Sequence, residues 1–261
     1  MGIVNVTPDS FSDGGQFLNA DAAVAHGLEL IRQGADLLDV GGESTRPGSQ
    51  PVPLDDELKR VVPVVTALAK QTATPISIDT SKPEVADACL QAGARIINDV
   101  TGLADPGMVE VARKHAAGVI VMHMQGTPAT MQMSPHYDDV VADIARYFAD
   151  RVQALSSAGI AVDAIAIDPG IGFGKTREHN IALLSRLAEF KKLGRPICLG
   201  VSRKGFLGKL LDRPIEQRLA GSLAAAAHAL AHDAVQILRV HDVAETSDVV
   251  RVWQVLRKPE G

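Results

Sequence analysis

Residues 76–100 read ISIDTSKPEVADACLQAGARIINDV. A β-branched run at 76–80 leads into an amphipathic segment at 83–92, and a second β-branched run follows at 96–100. The glycine in QAGAR stands where a helix must stop before the next strand. Near-continuous apolar strands joined by a helix imply a parallel pair with its outer face covered. Polar residues crowd the carboxyl end of both runs, as SIDTSKP at 77–83 and INDVTG at 97–102.

The same alternation extends in both directions. Strands are expected at 2–7, 36–41, 76–80, 96–100, 118–124, 164–169, 197–201 and 234–241. Helices are expected near 21–33, 54–71, 83–92, 106–115, 136–158, 178–190, 215–232 and 242–257. QGAD, SSAGI and KKLGRP repeat the glycine stop. Eight strands and eight helices in 261 residues, about thirty residues per unit, predict an α/β chain folded as a single (β/α)8 TIM barrel. No composition break divides residues 1–261 into two domains. An open, doubly wound sheet of eight strands is the alternative.

Hydrophobic residues make up 46% of the chain, enough for a sizeable core, and aromatics only 3%, so that core is Val, Ile, Leu and Ala. A formal charge of −5 with scattered basic residues gives no electrostatic case for nucleic acid. No apolar run is long enough to span a membrane, and the amino end lacks the pattern of a signal peptide. Cys89 and Cys198 lie in apolar surroundings, which suits buried thiols in a reducing cytoplasm.

In such a barrel the chemistry sits at the carboxyl ends of the strands. Strand 1 ends at Asn5 and enters a polar loop that runs to about Leu18; strand 2 enters GGESTRPG (41–48). The later exits are MHMQG (122–126), IDPGIGFGK (167–175), GVSRKG (200–205) and RVHD (239–242), while the opposite turns are short and bland. Asp79 and Asp168 suit helix caps, and Asn98 suits a turn bonded to its own backbone. Yet each ends an apolar strand whose side chains alternate into the barrel, where an unpaired carboxylate costs several kcal/mol. A polar planar ligand would pair them. Arg239 and His241, two apart on one face of strand 8, form either an anion site or salt bridges to Asp242 or another carboxylate. Lys204 enters the same rim.

Two patterns are decoys. Gly174-Lys175-Thr176 ends like a phosphate loop, but that motif needs glycine where Pro169 stands. His228 and His232 have metal spacing without a third ligand nearby.

The blocks NVTPDSFSDGG, GGESTRPGS, IDTSKPEV, INDVTG, MHMQG, DPGIGFGKT, SRKGFLG and RVHDV, in this order and spacing, resemble dihydropteroate synthases over nearly the whole chain. Members of that family carry a short segment before strand 1, whereas this chain starts inside it, so barrel closure at the amino end becomes the point to check. The resemblance implies condensation of 6-hydroxymethyl-7,8-dihydropterin pyrophosphate with p-aminobenzoate, a transferase step of folate synthesis. It implies that Asp168, Asn98, Asp79 and Lys204 read the pterin edges and that Met122 lines the ring. Arg239, His241 and Asn5 would hold the pyrophosphate, with Mg2+ on the Asn5 oxygen. Thr45 and Arg46 would meet the phosphates or the second substrate. Phe11, Thr45 and Pro47, with Asp9, would close over the site and wall the benzoate, and Ser202 or the Lys204 stem would meet its carboxylate. Catalysis would fall to Asp79, Lys204, Arg239 and His241. A homodimer through the later helices is also implied. The corrinoid-dependent methyltransferase barrels share the pterin residues of strands 3, 4 and 6 but do not need SRKG and RVHD together; both are present here.

Overall fold

The computed structural model describes residues 1–7, 16–45 and 49–257. β1 (Gly2–Asn5), β2 (Leu38–Gly41), β3 (Ile76–Asp79), β4 (Ile96–Asp99), β5 (Gly118–Met122) and β6 (Ile165–Asp168) pair in sequence order as one parallel sheet. β7 (Cys198–Leu199) and β8 (Ile237–Leu238) pair as a second. Single bridges join the two: Ile167 with Ile197 on one side, Gly2 with Val240 on the other. The amino end takes part in the closure. The Met1 ammonium donates to Leu238 O at 3.0 Å, Val240 N to Met1 O at 3.0 Å, and Ile3 N to Val240 O at 3.0 Å. The ring is therefore closed, a (β/α)8 barrel with helices outside.

The helices follow their apolar spacing. In α2 (Leu54–Gln71) the buried Val61, Val64, Val65 and Leu68 recur at three and four residues, one face toward the sheet. α3 (Pro83–Ala92) stops at Gly93, whose φ of 118° is left-handed and whose hypothetical Cβ would lie 2.6 Å from Ala69 Cβ. Around them run α1 (Gln16–Arg32), α4 (Pro106–Lys114), α5 (Val140–Ser157) and α6 (Arg177–Ser185).

The expectation of eight helices is corrected. The segment after β7 holds two, α7 (Gly205–Leu211) and α8 (Leu219–Ala231), before α9 (Val243–Arg257), which makes nine α-helices among the described residues. Two glycines in GFLGKLL dilute the helical period, and α7 ends on Asp212 in the left-handed region just before Pro214. The last two strands are also shorter than their apolar runs, since single bridges replace a ladder where the ring closes.

Two apolar layers hold the barrel. The large cluster lies between strands and helices, with Val40, Ile78, Ile97, Val121 and Ile167 as its inner wall. A small plug fills the barrel axis: Ile120, Ala166 and Cys198, with Met1, Ile96 and Ile237 packed on it. Strand side chains alternate, so the residues two further along share the plug's face, one step nearer the carboxyl rim. Those residues are Asn98, Met122, Asp168 and Arg239.

Candidate active site

Register sets the first row of the site. Asn5 pairs with Gly41, Gly41 with Asp79, and Asp79 with Asn98, across the ends of β1–β4. Glycine at 41 leaves room beside Asp79, whose Cβ would stand 3.4 Å from any added Cβ.

From this row a buried polar network crosses the barrel. Arg239 donates through Nε to Asp39 Oδ2 at 2.6 Å and through Nη2 to Asp79 Oδ2 at 2.6 Å. Asn98 Nδ2 donates to the same Asp39 oxygen at 3.0 Å. Arg239 is thus held by neighbouring carboxylates, one of the two alternatives its spacing left open. Asp242 pairs instead with Arg203. Asp39 lies outside the residues expected from the sequence. It is fully buried inside β2, and its other oxygen, Oδ1, has no hydrogen-bond partner; nor does Ser77 Oγ on the paired position of β3. The signal for Asp39 was a lone carboxylate between Leu38 and Val40 in an apolar strand.

Neither aspartate caps a helix. Asp79 is in the ion pair just described, and Asp168 Oδ1 accepts from Gly170 N at 2.8 Å, a local turn. α6 is capped by Thr176 in a capping box with His179, and α3 starts at Lys82 without a side-chain cap. Gly170 has a left-handed φ of 67°, and a Cβ there would fall 2.0 Å from His123 O, so only glycine fits this turn. Asn98 does not bond its own backbone; its neighbour Asp99 makes that turn, accepting from Thr101 N at 2.8 Å and Leu103 N at 3.0 Å.

Charges on the far side complete the cup. Lys204 Nζ lies 4.1 Å from the centroid of the Phe173 ring. Burial lowers its pKa to about 8, and the Asp168 charge opposes that fall. Burial raises the Asp168 carboxyl above the usual carboxylate range against Gly170, Lys204 and Arg239. Asp79 is pushed up to about 7 by burial, with Arg239 opposing and Asp39 adding. The charges of Asp79 and Asp168 act on Lys204, and those of Lys204 and Arg239 act on Asp168, while Asn98 joins Arg239 through the shared Asp39 oxygen. Met122 is buried with Val100, Met131 and Phe173 in an apolar wall at the same level.

His241 Nδ1 and Ser202 Oγ are 3.0 Å apart, and Ser202 Oγ also accepts from His241 N at 3.2 Å. This pair joins the ends of the last two strands. Thr45 lines a cavity of about 320 Å3 with Asp79, Glu43 and Thr127. Asp9, Phe11, Arg46 and Pro47 lie outside the described residues. Lys175, of the rejected phosphate-loop pattern, is buried and donates to Phe173 O at 2.8 Å and His123 O at 3.3 Å, which ties the loop after β6 to the end of β5. At the carboxyl end of α8 the rings of His228 and the capping residue His232 are 4.4 Å apart, and His232 Nδ1 lies 2.8 Å from His228 O.

An aspartate–asparagine floor beside an apolar wall suits a flat, hydrogen-bonding heterocycle, and the cations at its edge suit an anion. Residues 1–241 match the family described as pterin binding enzyme. The chain is 50% identical over 252 residues to dihydropteroate synthase of Escherichia coli K12, covering 97% of this chain and 89% of that one. Among solved structures, dihydropteroate synthase of Xanthomonas albilineans with 4-aminobenzoic acid superposes with a TM-score of 0.93 at 50% identity, covering 99% of this chain and 93% of that one. The complex of the Xanthomonas enzyme with 7,8-dihydropteroate gives 0.89 at 47% identity, with 99% and 93% covered. With both the match along the chain and the fold agreeing on one set of relatives, this chain belongs to the dihydropteroate synthase family.

Proposed function

We propose that this barrel condenses 6-hydroxymethyl-7,8-dihydropterin pyrophosphate with p-aminobenzoate, giving 7,8-dihydropteroate and pyrophosphate. The observation that carries the reading is the single hydrogen-bonded network of Asp39, Asp79, Asn98 and Arg239, whose charges act on Asp168 and Lys204. The Asp168 carboxylate accepts two parallel N–H bonds from the pterin amino-pyrimidinone edge. Asn98 offers both donor and acceptor, and Lys204 donates to the ring carbonyl. Met122 and Phe173 give the ring an apolar wall.

The reaction starts with loss of the leaving group. The bond from the pterin methylene carbon to oxygen breaks, and its electron pair leaves on pyrophosphate. Arg239 keeps Nη1 free of the two carboxylates that hold Nε and Nη2, so it can donate to that anion without deserting Asp39. His241 meets the same anion from beside Ser202. Each well-placed donor is worth roughly 3–4 kcal/mol to developing charge. Asp79, in its ionised form beneath Arg239, stabilises the cation delocalised over the pterin. The lone pair of the neutral aniline nitrogen forms the C–N bond, and its proton passes to solvent or pyrophosphate. No strong general base is required.

Mg2+ fits the donor set: the Asn5 carboxamide has no hydrogen-bond partner among the described residues and presents a hard oxygen at the rim. No cluster of three or more His, Cys, Asp or Glu that suits a metal occurs among them, so the substrate phosphates and water would complete the shell. When bound, the ion would neutralise charge on the leaving pyrophosphate. Thr45 and the loop bearing Arg46 and Pro47, with Phe11 and Asp9, form the benzoate side, and Ser202 or the Lys204 stem meets its carboxylate.

We also infer a homodimer. Leu210, Leu211 and Ile215 beside α8, and Val252, Val255 and Leu256 on α9, are apolar and exposed. The free, buried Cys89 and Cys198 support a reducing cytoplasm, and among the described residues no helix is long and apolar enough to cross a membrane.

The test is a turnover assay with both substrates, with and without Mg2+, that follows pyrophosphate release. Product must require both substrates. Tight pterin binding without turnover would mark a non-catalytic relative and overturn the assignment.

A further inference from the structure

The rim holds a second polar cluster that the reaction does not use. Lys82, just past β3, places Nζ 2.5 Å from Glu43 Oε2 and 2.5 Å from Glu57 Oε2. Glu57 sits fully buried in the first turn of α2, where a carboxylate is strongly unfavourable unless paired. Thr80 Oγ1 donates to its other oxygen at 2.7 Å. Burial works against the Lys82 charge, but Glu43 and Glu57 outweigh it and raise its pKa, so the ammonium is charged at neutral pH.

Glu43 does more than neutralise Lys82. Its Oε2 also accepts from Val52 N at 3.0 Å. Gly42 O accepts from Arg60 Nη1 of α2 at 2.9 Å. The departing and returning ends of the loop after β2 are thus tied to each other, to α2 and to the exit of β3. Thr45 lies between these ties and shares the cavity wall with Asp79.

We propose that Lys82 is a positioning residue: by closing Glu43 onto Glu57 it sets the place of the loop after β2, and so of Thr45, relative to Asp79. It touches no reacting atom. The inference rests on assigning that loop to the p-aminobenzoate side. Asp79 itself is held by Arg239, which lies outside the clamp. The bonds from Thr80 Oγ1 to Glu57 and from Lys82 N to Thr80 Oγ1 do not use the lysine side chain. Loss of Nζ therefore loosens the benzoate side and spares the pterin side.

Steady-state kinetics and calorimetry on Lys82→Met, Lys82→Arg, Glu43→Gln and Thr45→Ala test this. Lys82→Met should raise KM for p-aminobenzoate about tenfold while Kd for the pterin pyrophosphate stays within about twofold. Lys82→Arg should restore most of the loss. Glu43→Gln leaves the Lys82–Glu57 pair intact and should show the same split, a few-fold in size; if Lys82→Met does not fold, this variant decides alone. Equal weakening of both substrates, or wild-type values for both, overturns the inference. Thr45→Ala separates the two layers. If it raises KM for p-aminobenzoate and the clamp variants do not, the loop assignment stands and the clamp role fails. If it leaves that KM unchanged, the loop assignment fails and the inference with it.

Discussion

Replacing Arg239 with Met should destabilise the barrel in a pH-dependent way. Arg239 makes two bonds of 2.6 Å, to a fully buried Asp39 and to Asp79, whose side chain is 10% exposed. Methionine fills the space and leaves two buried carboxylates facing each other. Removing one partner of a buried pair costs about 3–5 kcal/mol. At about 2 °C per kcal/mol for a chain of this size, Tm falls by roughly 6–10 °C near neutral pH. Burial already lifts Asp79 to about 7 while Arg239 opposes the rise, so without Arg239 it climbs further. A carboxyl raised in the folded state keeps a proton that the unfolded chain has shed. The folded state is therefore penalised as pH rises from about 4 through the folded pKa. At pH 5 the variant should regain at least about 1–2 kcal/mol relative to pH 8. Thermal unfolding by circular dichroism at both pH values measures this, with Arg239→Met/Asp39→Asn as the companion. The double variant has lost one of the two charges and should be the more stable. Equal deficits at pH 5 and pH 8, or a double variant no better than the single, would refute the reasoning.

Asp168→Ala should abolish pterin binding in calorimetry while the far-UV spectrum stays native; unchanged affinity removes Asp168 from the pterin edge. Lys204, with a pKa lowered to about 8, is charged below that pH and loses its charge-assisted bond above it, so kcat/KM for the pterin pyrophosphate should fall through about pH 8. A profile flat to about pH 9.5 contradicts that role. Lys175→Met strands the Phe173 and His123 carbonyls that Nζ now satisfies, and should cost about 2–3 kcal/mol in urea unfolding, with weaker pterin binding as Phe173 shifts beneath Lys204. Wild-type stability would mean that water replaces the ammonium.

The barrel was legible because its signals are local. Each apolar run of 76–80 or 96–100 fixes a strand on its own, and the glycine of QAGAR ends a helix through its own backbone. Asp79, Asn98 and Asp168 stood out for the same reason: a polar residue closing an apolar strand is conspicuous without any partner in view. Helix α7 was not, since its two glycines and seven residues carry too little period to stand out. Asp39 was hidden inside its strand rather than at its end.

The alternation of strand and helix, and the side of the barrel that carries polar residues, can be read along the chain because both depend on neighbours a few positions apart. That Arg239 is shared between Asp39 and Asp79, partners 200 and 160 residues away, and that Lys82 bridges Glu43 and Glu57, emerges only once the chain has folded. Which charges meet across a closed barrel depends on strand register and ring closure, and those are settled by packing the plug of Ile120, Ala166 and Cys198, not by any local stretch of chain.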